Sequence, residues 1–376
     1  MQGGPASFDP AILDLLLRHP EPQTLHGLAL ASGRSMESIR DELAALEMAG
    51  CRIEWHPGSG VRLLEAGLGT WQDYLQWRLA LSRRHHGDKA GAAGLQIEGN
   101  ASHGTGEDLP QRRIEIYNQT ASTQDAARRM VTTRPERVDG AVIAAGHQSA
   151  GRGRLGRRWT VPPGTGATFS YIHCIHSAGA ERSGNDLLWL ATAVAVVEAL
   201  ETFIPAEAHP PRIKWPNDVL IDGQKVAGIL IETAGPRPAD RASRASTAAG
   251  TPSSTVAAII GIGINVAIHQ EHLSSVPPDV AARMTSLALH GCRVDRLLVK
   301  AAVLERLEHR LHLLDREELL RCWRRRCIQL GTRVHLRCNG EDVHGQVLDV
   351  DPDAGLIVRT DTGTLLHLPA ATTSVL

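Results

Sequence analysis

Gly151-Arg152-Gly153-Arg154-Leu155-Gly156-Arg157-Arg158-Trp159 is the stretch on which the reading of the fold turns. Glycines let the main chain take positive φ and turn its N–H groups toward an anion. The arginines add planar, permanently charged forks suited to carboxylate and phosphate. The closing tryptophan offers a flat face on which a base can stack. The run also matches G-x-G-x-x-G, the dinucleotide-binding fingerprint, which needs a strand before it and a helix opening from it. A strand is available in Gly140–Ala145. The helix is not, because Pro162-Pro163-Gly164-Thr165-Gly166 stands where it would run. The loop reads as an anion grip, and the Rossmann reading fails.

Three further segments stand in order around it. Ser122-Thr123-Gln124 follows a short strand, Ile114–Tyr117. Lys214-Trp215-Pro216-Asn217-Asp218-Val219 and Lys225-Val226-Ala227-Gly228-Ile229-Leu230-Ile231-Glu232 flank a hairpin turn at Asp222-Gly223, and Gly261-Ile262-Gly263-Ile264-Asn265-Val266 comes last. Together with the arginine loop these segments resemble the biotin–protein ligases. The family's Ser-Thr-Asn is Ser-Thr-Gln here.

The rest of the chain divides around these motifs into an α+β, multi-domain protein. Residues 8–66 read as a winged helix-turn-helix. Ile12, Leu13, Leu16 and Leu17 mark one helical stripe, Leu25, Leu28 and Ala29 a second, and Ile39, Leu43 and Leu46 a third behind a Ser35 cap. Cys51–Trp55 and Val61–Leu64 form the wing. Residues 67–110 read as a helix bearing Trp71, Leu75 and Leu79, followed by a flexible linker from His85 to Pro110. Residues 111–328 form a mixed α/β unit, which the resemblance makes a catalytic domain of the biotin/lipoate-ligase type. It contains a disordered insertion at 234–254, a buried helix at Asp186–Thr202, and helices at Asp295–Asp315 and Glu317–Arg326. Residues 329–376 carry short strands at Val334–Arg337, Gln346–Val350, Leu356–Arg359 and Leu365–Leu368; the resemblance makes this small barrel SH3-like.

Composition bounds the partners. The chain has 376 residues with a formal net charge of −1, so bulk attraction to DNA or anionic membrane is not expected. Its six cysteines are scattered without a C-x-x-C pair and read as reduced thiols of a cytoplasmic protein. No run is long and apolar enough for a membrane span. The helix of the third stripe, Ser35–Ala49, holds the recognition position of the winged helix and sets Arg40 against Glu37, Asp41, Glu42 and Glu47, which predicts weak DNA binding. Every motif with chemistry lies after residue 120, so loss of residues 1–70 is expected to leave activity measurable. There are only four lysines, Lys89, Lys214, Lys225 and Lys300, and two fall inside motifs, which suggests a need for ammonium there.

The resemblance implies a reaction and a set of roles. Biotin and ATP are the substrates, with Mg2+, and a biotin carboxyl-carrier domain of a biotin-dependent carboxylase is the acceptor. Ser122, Thr123, Gln124 and Gln148 would hold the biotin head group. Arg152, Gly153, Arg154 and Lys225 would hold its carboxylate, and Arg152, Arg154, Arg157, Trp159, Asn217 and Asn265 the adenylate. Lys225, Asp218 and Arg154 are the catalytic candidates. Asp218 is open to three readings: a base, a ligand for Mg2+, or an orienter of Lys214. The nucleotide is not held by a P-loop, since no G-x-x-x-x-G-K-[ST] occurs. His173, Cys174 and His176 make a poor metal set, because strand alternation splits them between faces; His309 and His312 read as a solvated helix face. A lipoate–protein ligase and a biotin-responsive transcriptional repressor are the competing functions, and a homodimer is left open.

Overall fold

The computed structural model describes residues 8–91, 112–133, 138–175, 187–234, 256–313 and 315–375. Most of the linker, the 235–254 part of the insertion and His176 lie outside the described residues.

Three short helices open the chain. α1 (Pro10–Arg18) starts with proline at N1, and Asp9 accepts a hydrogen bond from Ala11 N; α2 (Leu25–Ser32) is capped by Thr24 and stopped by Gly33 at φ 68°; α3 (Met36–Met48) is capped by Ser35. The three expected stripes are buried, apart from a half-buried Leu25. β1 (Arg52–His56) and β2 (Gly60–Glu65) pair antiparallel. Gly60 is required here: a Cβ would lie 2.0 Å from Gln23 O, where the β2 edge bonds the α1–α2 connection.

α4 spans Leu68–Gly91. The expected helix was placed to about Arg84, so its continuation takes seven residues from the stretch read as linker. Composition had suggested coil for His85–Gly91, but a helix already nucleated by the buried Trp71, Tyr74, Leu75 and Leu79 propagates at little cost.

A seven-stranded mixed sheet forms the centre, in the order β3-β4-β5-β9-β8-β7-β6. Its strands are β3 (Ile114–Thr120), β4 (Val142–Gln148), β5 (Gly166–Ile175), β6 (Arg212–Lys214), β7 (Asp218–Ile221), β8 (Gln224–Ala234) and β9 (Val256–Asn265). Only β3 and β4 run parallel. The β7–β8 turn falls at Asp222 and Gly223 as read, both at positive φ (50° and 76°). Alternation along the strands sorts the two faces. Ile143, Ile172 and Ile259 pack under α5 (Thr123–Thr133), while Val142, Tyr171 and Ile260 face the opposite core with α6 (Leu188–Glu201). After a short helical turn α7 (Pro278–Ala281), α8 (Arg296–His312) packs on α6, and α9 (Arg316–Arg326) follows.

The last segment is a five-stranded antiparallel sheet in the order β13-β12-β11-β10-β14. Its strands are β10 (Arg333–Cys338), β11 (Glu341–Asp351), β12 (Gly355–Thr360), β13 (Leu365–Leu368) and β14 (Thr373–Val375). β14 was not expected, because three residues carry no readable alternation.

One apolar cluster runs from Ile12 and Leu16 of α1 through Trp71, Val194 and Leu304 to Trp323 and Val358. Polar links reinforce the first junction. Asp295 accepts from Ala66 N at 2.9 Å, Arg296 binds Glu65 at 2.8 Å, and Arg78 bridges Glu305 at 2.7 Å and Asp14 at 3.0 Å. The N-terminal block is therefore built into the protein's core rather than appended to it. Deleting residues 1–70, which the motif positions lead one to expect would leave activity measurable, would also strip these contacts from the core. Among the described residues, no helix is long and apolar enough to cross a membrane.

Candidate functional site

The arginine loop leaves β4 at Gln148 and is held by its own backbone. Gly153 N donates to Arg157 O at 2.8 Å, and Trp159 N to Gly151 O at 2.9 Å. Leu155 and Gly156 take positive φ (55° and 72°) inside a single 3-10 turn, Arg154–Gly156. No α-helix opens from the loop, and the next element is β5, as the prolines required.

The loop folds over a cavity of about 180 Å³ on the α5 face of the sheet. Glycines open that face. Gly263 and Gly228 are cross-strand partners on β9 and β8, and the Trp159 indole lies on both. A Cβ at Gly263 would come within 2.4 Å of Trp159 Cε2, and one at Gly228 within 3.0 Å of Cζ3. Gly261, two residues along β9, passes beneath Gln124, where a Cβ would lie 2.8 Å from the carboxamide carbon. The sequence showed these glycines as a motif. Their common purpose, a flat floor for one indole and one carboxamide, needed the strand register.

A polar end wall is built from the start of α5. Gln148 Oε1 accepts from Thr123 N at 2.7 Å and from Thr123 Oγ1 at 3.1 Å. Ser170 Oγ lies 2.8 Å from Thr123 Oγ1 and 3.1 Å from Gln124 Oε1, and Gln124 Nε2 donates to Glu232 Oε2 at 3.1 Å and Leu230 O at 3.2 Å. Ser122 accepts from Gln124 N at 3.3 Å. The buried Ser122, Thr123, Gln124 and Ser170, with the half-buried Gln148, supply both donors and acceptors in one corner.

Charge occupies the other end. Six cations line the cavity, Arg152, Arg154, Arg157, Arg158, Lys214 and Lys225, against one carboxylate, Asp218. Lys225 Nζ lies 2.6 Å from Asp218 Oδ1 and 5.4 Å from the Trp159 ring centroid. Arg154 is held by neutral acceptors: Asn217 Oδ1 at 3.1 Å, Ala370 O, and Thr373 O at 3.3 Å. Burial pulls its pKa below the ordinary value; Asp218 opposes this, and Arg157 adds to it. A desolvated guanidinium without a carboxylate partner favours an incoming anion.

The expected residues do not all converge. Ser122, Thr123, Gln124, Gln148, Arg152, Gly153, Arg154, Arg157, Trp159, Asn217, Asp218 and Lys225 line the cavity. Asn265 does not. Its amide donates to Lys225 O at 3.2 Å and Thr285 O at 2.8 Å, so it braces the Lys225 backbone from behind. Arg152 differs from Arg154 in being paired already, with Glu232 and with Asp125 at 3.2 Å. Asp218 pairs with Lys225 through its carboxylate and faces Lys214 across the β6–β7 register. Trp215 is fully buried as expected of core, and also reaches the cavity wall. His173 and Cys174 alternate on β5, and among the described residues they belong to no group of three metal-ligating side chains, His176 lying outside those residues; burial first, then Asp139, pushes the Cys174 thiol up to about 11. His312 bonds Glu308 O, and His309 is likewise partnered.

Five contributors were missed. Glu232 closes a quoted motif but carried no assigned role, and Asp125 and Ser170 looked like ordinary helix and strand residues. Ser374 and Val375 of β14 line the cavity from the far end of the chain. The last residues, Thr372-Thr373-Ser374-Val375-Leu376, carry no basic side chain that a sequence motif could assign to the nucleotide. In the structure the backbone carbonyls of Ala370 and Thr373 hold Arg154 instead, a contact that no side-chain motif reports.

Comparison with known proteins points to one family. Residues 117–243 match the biotin/lipoate A/B protein ligase family. The biotin–[acetyl-CoA-carboxylase] ligase of Mycobacterium tuberculosis is 29% identical over 271 residues, covering 68% of this chain and 90% of that protein. The ligase of the same name from Paracoccus denitrificans is 30% identical over 232 residues, covering 61% and 88%. A Bacillus subtilis bifunctional ligase/repressor is 28% identical over 275 residues, covering 72% and 76%. The fold is shared with the Aquifex aeolicus biotin protein ligase solved with biotin and ATP, at TM-score 0.52 and 24% identity over 70% of this chain and 98% of that one. With this cavity, these motifs and these relatives, the chain belongs to the biotin–protein ligases of the biotin/lipoate A/B protein ligase family.

Proposed function

We propose that the chain is an ATP-dependent biotin–protein ligase that adenylates biotin and passes the acyl group to a lysine of a biotin carboxyl-carrier domain. The observation that carries this reading is one cavity with a neutral, donor-and-acceptor end beside an end of clustered cations. A ureido ring suits the first end and an acyl phosphate the second.

In the first step a biotin carboxylate oxygen attacks the α-phosphorus of ATP. A P–O bond forms, the bond to pyrophosphate breaks, and biotinyl-5′-AMP results. Lys225 and Arg154 stabilise the charge that gathers on the α-phosphate, where fixed cations in a dry site act most strongly. Ser122, Thr123, Gln124 and Gln148 bind the ureido ring, Trp159 covers the adenine, and Arg157 and Asn217 sit beside the nucleotide. In the second step the acceptor amine attacks the acyl carbon, AMP leaves, and Asp218 takes the amine proton.

Mg2+ fits this site as part of the nucleotide substrate. One carboxylate among six cations is not a metal cage, whereas Mg2+ commonly rests on phosphates, waters and one carboxylate. Asp218 is the residue that would contact it.

The chain divides on this reading into a winged-helix domain (8–66), a helix and linker (67–110), a catalytic domain (111–328) and an SH3-like domain (329–376), in a cytoplasmic protein able to form a homodimer. A repressor activity is the second reading, favoured by the bifunctional B. subtilis relative. It is disfavoured by the exposed Glu37, Asp41 and Glu47 on α3. Lipoate is disfavoured as substrate by the density of arginine in the loop.

Incubating the purified chain with biotin, ATP and a recombinant carrier domain tests the proposal. Mass spectrometry should find one biotinyl group on the carrier lysine. An unmodified carrier alongside a lipoylated lipoyl domain, when lipoate is supplied, would replace biotin with lipoate.

A further inference from the structure

Away from the ligase cavity, the β10–β11 hairpin brings two imidazoles and a carboxylate to one outer face. His335 and His344 are direct cross-strand partners, and Arg337 and Asp342 are the next pair on the same side. The imidazole rings stack with centroids 4.0 Å apart and planes at 17°. His335 Nε2 lies 3.0 Å from Asp342 Oδ2, while Arg337 Nε donates to the other oxygen, Oδ1, at 2.7 Å. One ligand atom from each of His335, Asp342 and His344 lies within 4.8 Å of the others.

We propose that His335, His344 and Asp342 form a surface site for a divalent transition-metal ion of the Zn2+ type. Two imidazoles and one carboxylate are the donors such ions prefer, and three protein ligands leave a fourth tetrahedral position for water. The carboxylate is ready for the role. Arg337 engages one oxygen and turns the other toward the imidazoles, as residues behind a metal ligand do. Metal–nitrogen bonds of about 2.0 Å require the donor atoms to close in. All three side chains are at least partly exposed, so they can turn to do so.

The site is adjacent to the ligase cavity through the sheet. β10 also pairs with β14, Arg337 opposite Ser374, and Ser374 lines the cavity. An ion bridging β10 and β11 would therefore fasten the strand that supports that wall. The proposal concerns metal binding alone and stands independently of the ligase reading.

Titrating the full chain with ZnCl2 by calorimetry, in a buffer that does not chelate, tests it. The expected result is one equivalent bound with an affinity that falls at least about tenfold in His344→Gln and disappears in the His335→Gln, His344→Gln double variant. His26→Gln, an exposed control on α2, should behave as the parent. Far-UV circular dichroism on each variant shows that the exposed changes leave the fold intact. Substituting Co2+ should give a visible absorption band that the double variant lacks. Zinc binding that survives the double variant, or no binding by the parent, would overturn the site and leave Asp342 as the partner of Arg337 and His335 only.

Discussion

Lys225 Nζ lies 2.6 Å from Asp218 Oδ1 across the β7–β8 hairpin, so the ammonium and the one carboxylate of the cavity wall form a single unit. The hairpin fixes the distance: Asp218 faces Gly228 in register, and a bulge between Val219 and Leu220 moves Lys225 opposite Leu220. Asn265 holds the lysine backbone from beneath. A flexible side chain on a rigid base can leave the carboxylate for a phosphate without moving the strand.

Lys225→Arg should therefore lose most adenylation, by roughly 10²–10³-fold in rate. The charge is kept, but a planar fork is larger than an ammonium and its donors are fixed in direction. Single-turnover formation of biotinyl-5′-AMP measures this. Parental rates in Lys225→Arg would mean that charge alone is needed at this position.

The glycine floor makes a second prediction. Gly263→Ala places a methyl 2.4 Å from the Trp159 ring, so the indole must lift. The KM for ATP should rise at least about tenfold, a loss near 1.4 kcal/mol, with a smaller effect on biotin binding at the far end. An unchanged KM for ATP would remove Trp159 from the nucleotide site.

Arg154 joins the loop to the C-terminal sheet through Ala370 and Thr373 carbonyls. Arg154→Ala removes both that latch and an anion partner, so the activated intermediate should escape. Bystander proteins mixed with the variant, biotin and ATP should then be biotinylated more than with the parent at equal adenylation. Labelling confined to the carrier domain in both proteins would count against the latch.

The N-terminal junction carries a pH signature. Lys300 is fully buried 3.9 Å from the Trp71 ring centroid, and burial, then repulsion from Arg296, holds it well below the ordinary lysine value against the pull of Asp295. The unfolded chain binds a proton at this lysine that the folded chain refuses, so this residue makes stability rise with pH. The effect extends from the lowered value up to the ordinary one near 10.4. Lys300→Met should raise Tm at pH 7 and raise it less at pH 9.5. An equal gain at both pH values would show that the lysine titrates alike in both states. Deleting residues 1–70 should lower Tm strongly, because it uncovers Trp71 and removes Glu65 and Asp14 from their arginines.

Local chemistry was what the sequence made legible. The Ser35 cap, the Asp222-Gly223 turn and the absence of a helix after Trp159 each depend on one or two residues, and each was readable, whereas the caps at Asp9 and Thr24 emerged only from the structure. The cavity motifs were readable for the same reason, since they fall in short runs. What escaped depends on distance along the chain. Asn265 looked like a nucleotide contact until the register put its amide against Lys225 O. Glu232 acquires its role only because α5 brings Gln124 and the loop brings Arg152 to it. β14 is too short for any pattern, and the helix after Arg84 continues through residues that composition assigns to a linker.

Biotin-dependent exchange of labelled pyrophosphate into ATP, measured on the purified full chain, tests the central claim most directly. It reports formation and reversal of an acyl-adenylate without any acceptor. The account predicts exchange with biotin, none with lipoate, and near-complete loss in Lys225→Arg. Exchange driven by lipoate, or no exchange with biotin from a folded protein, would contradict it.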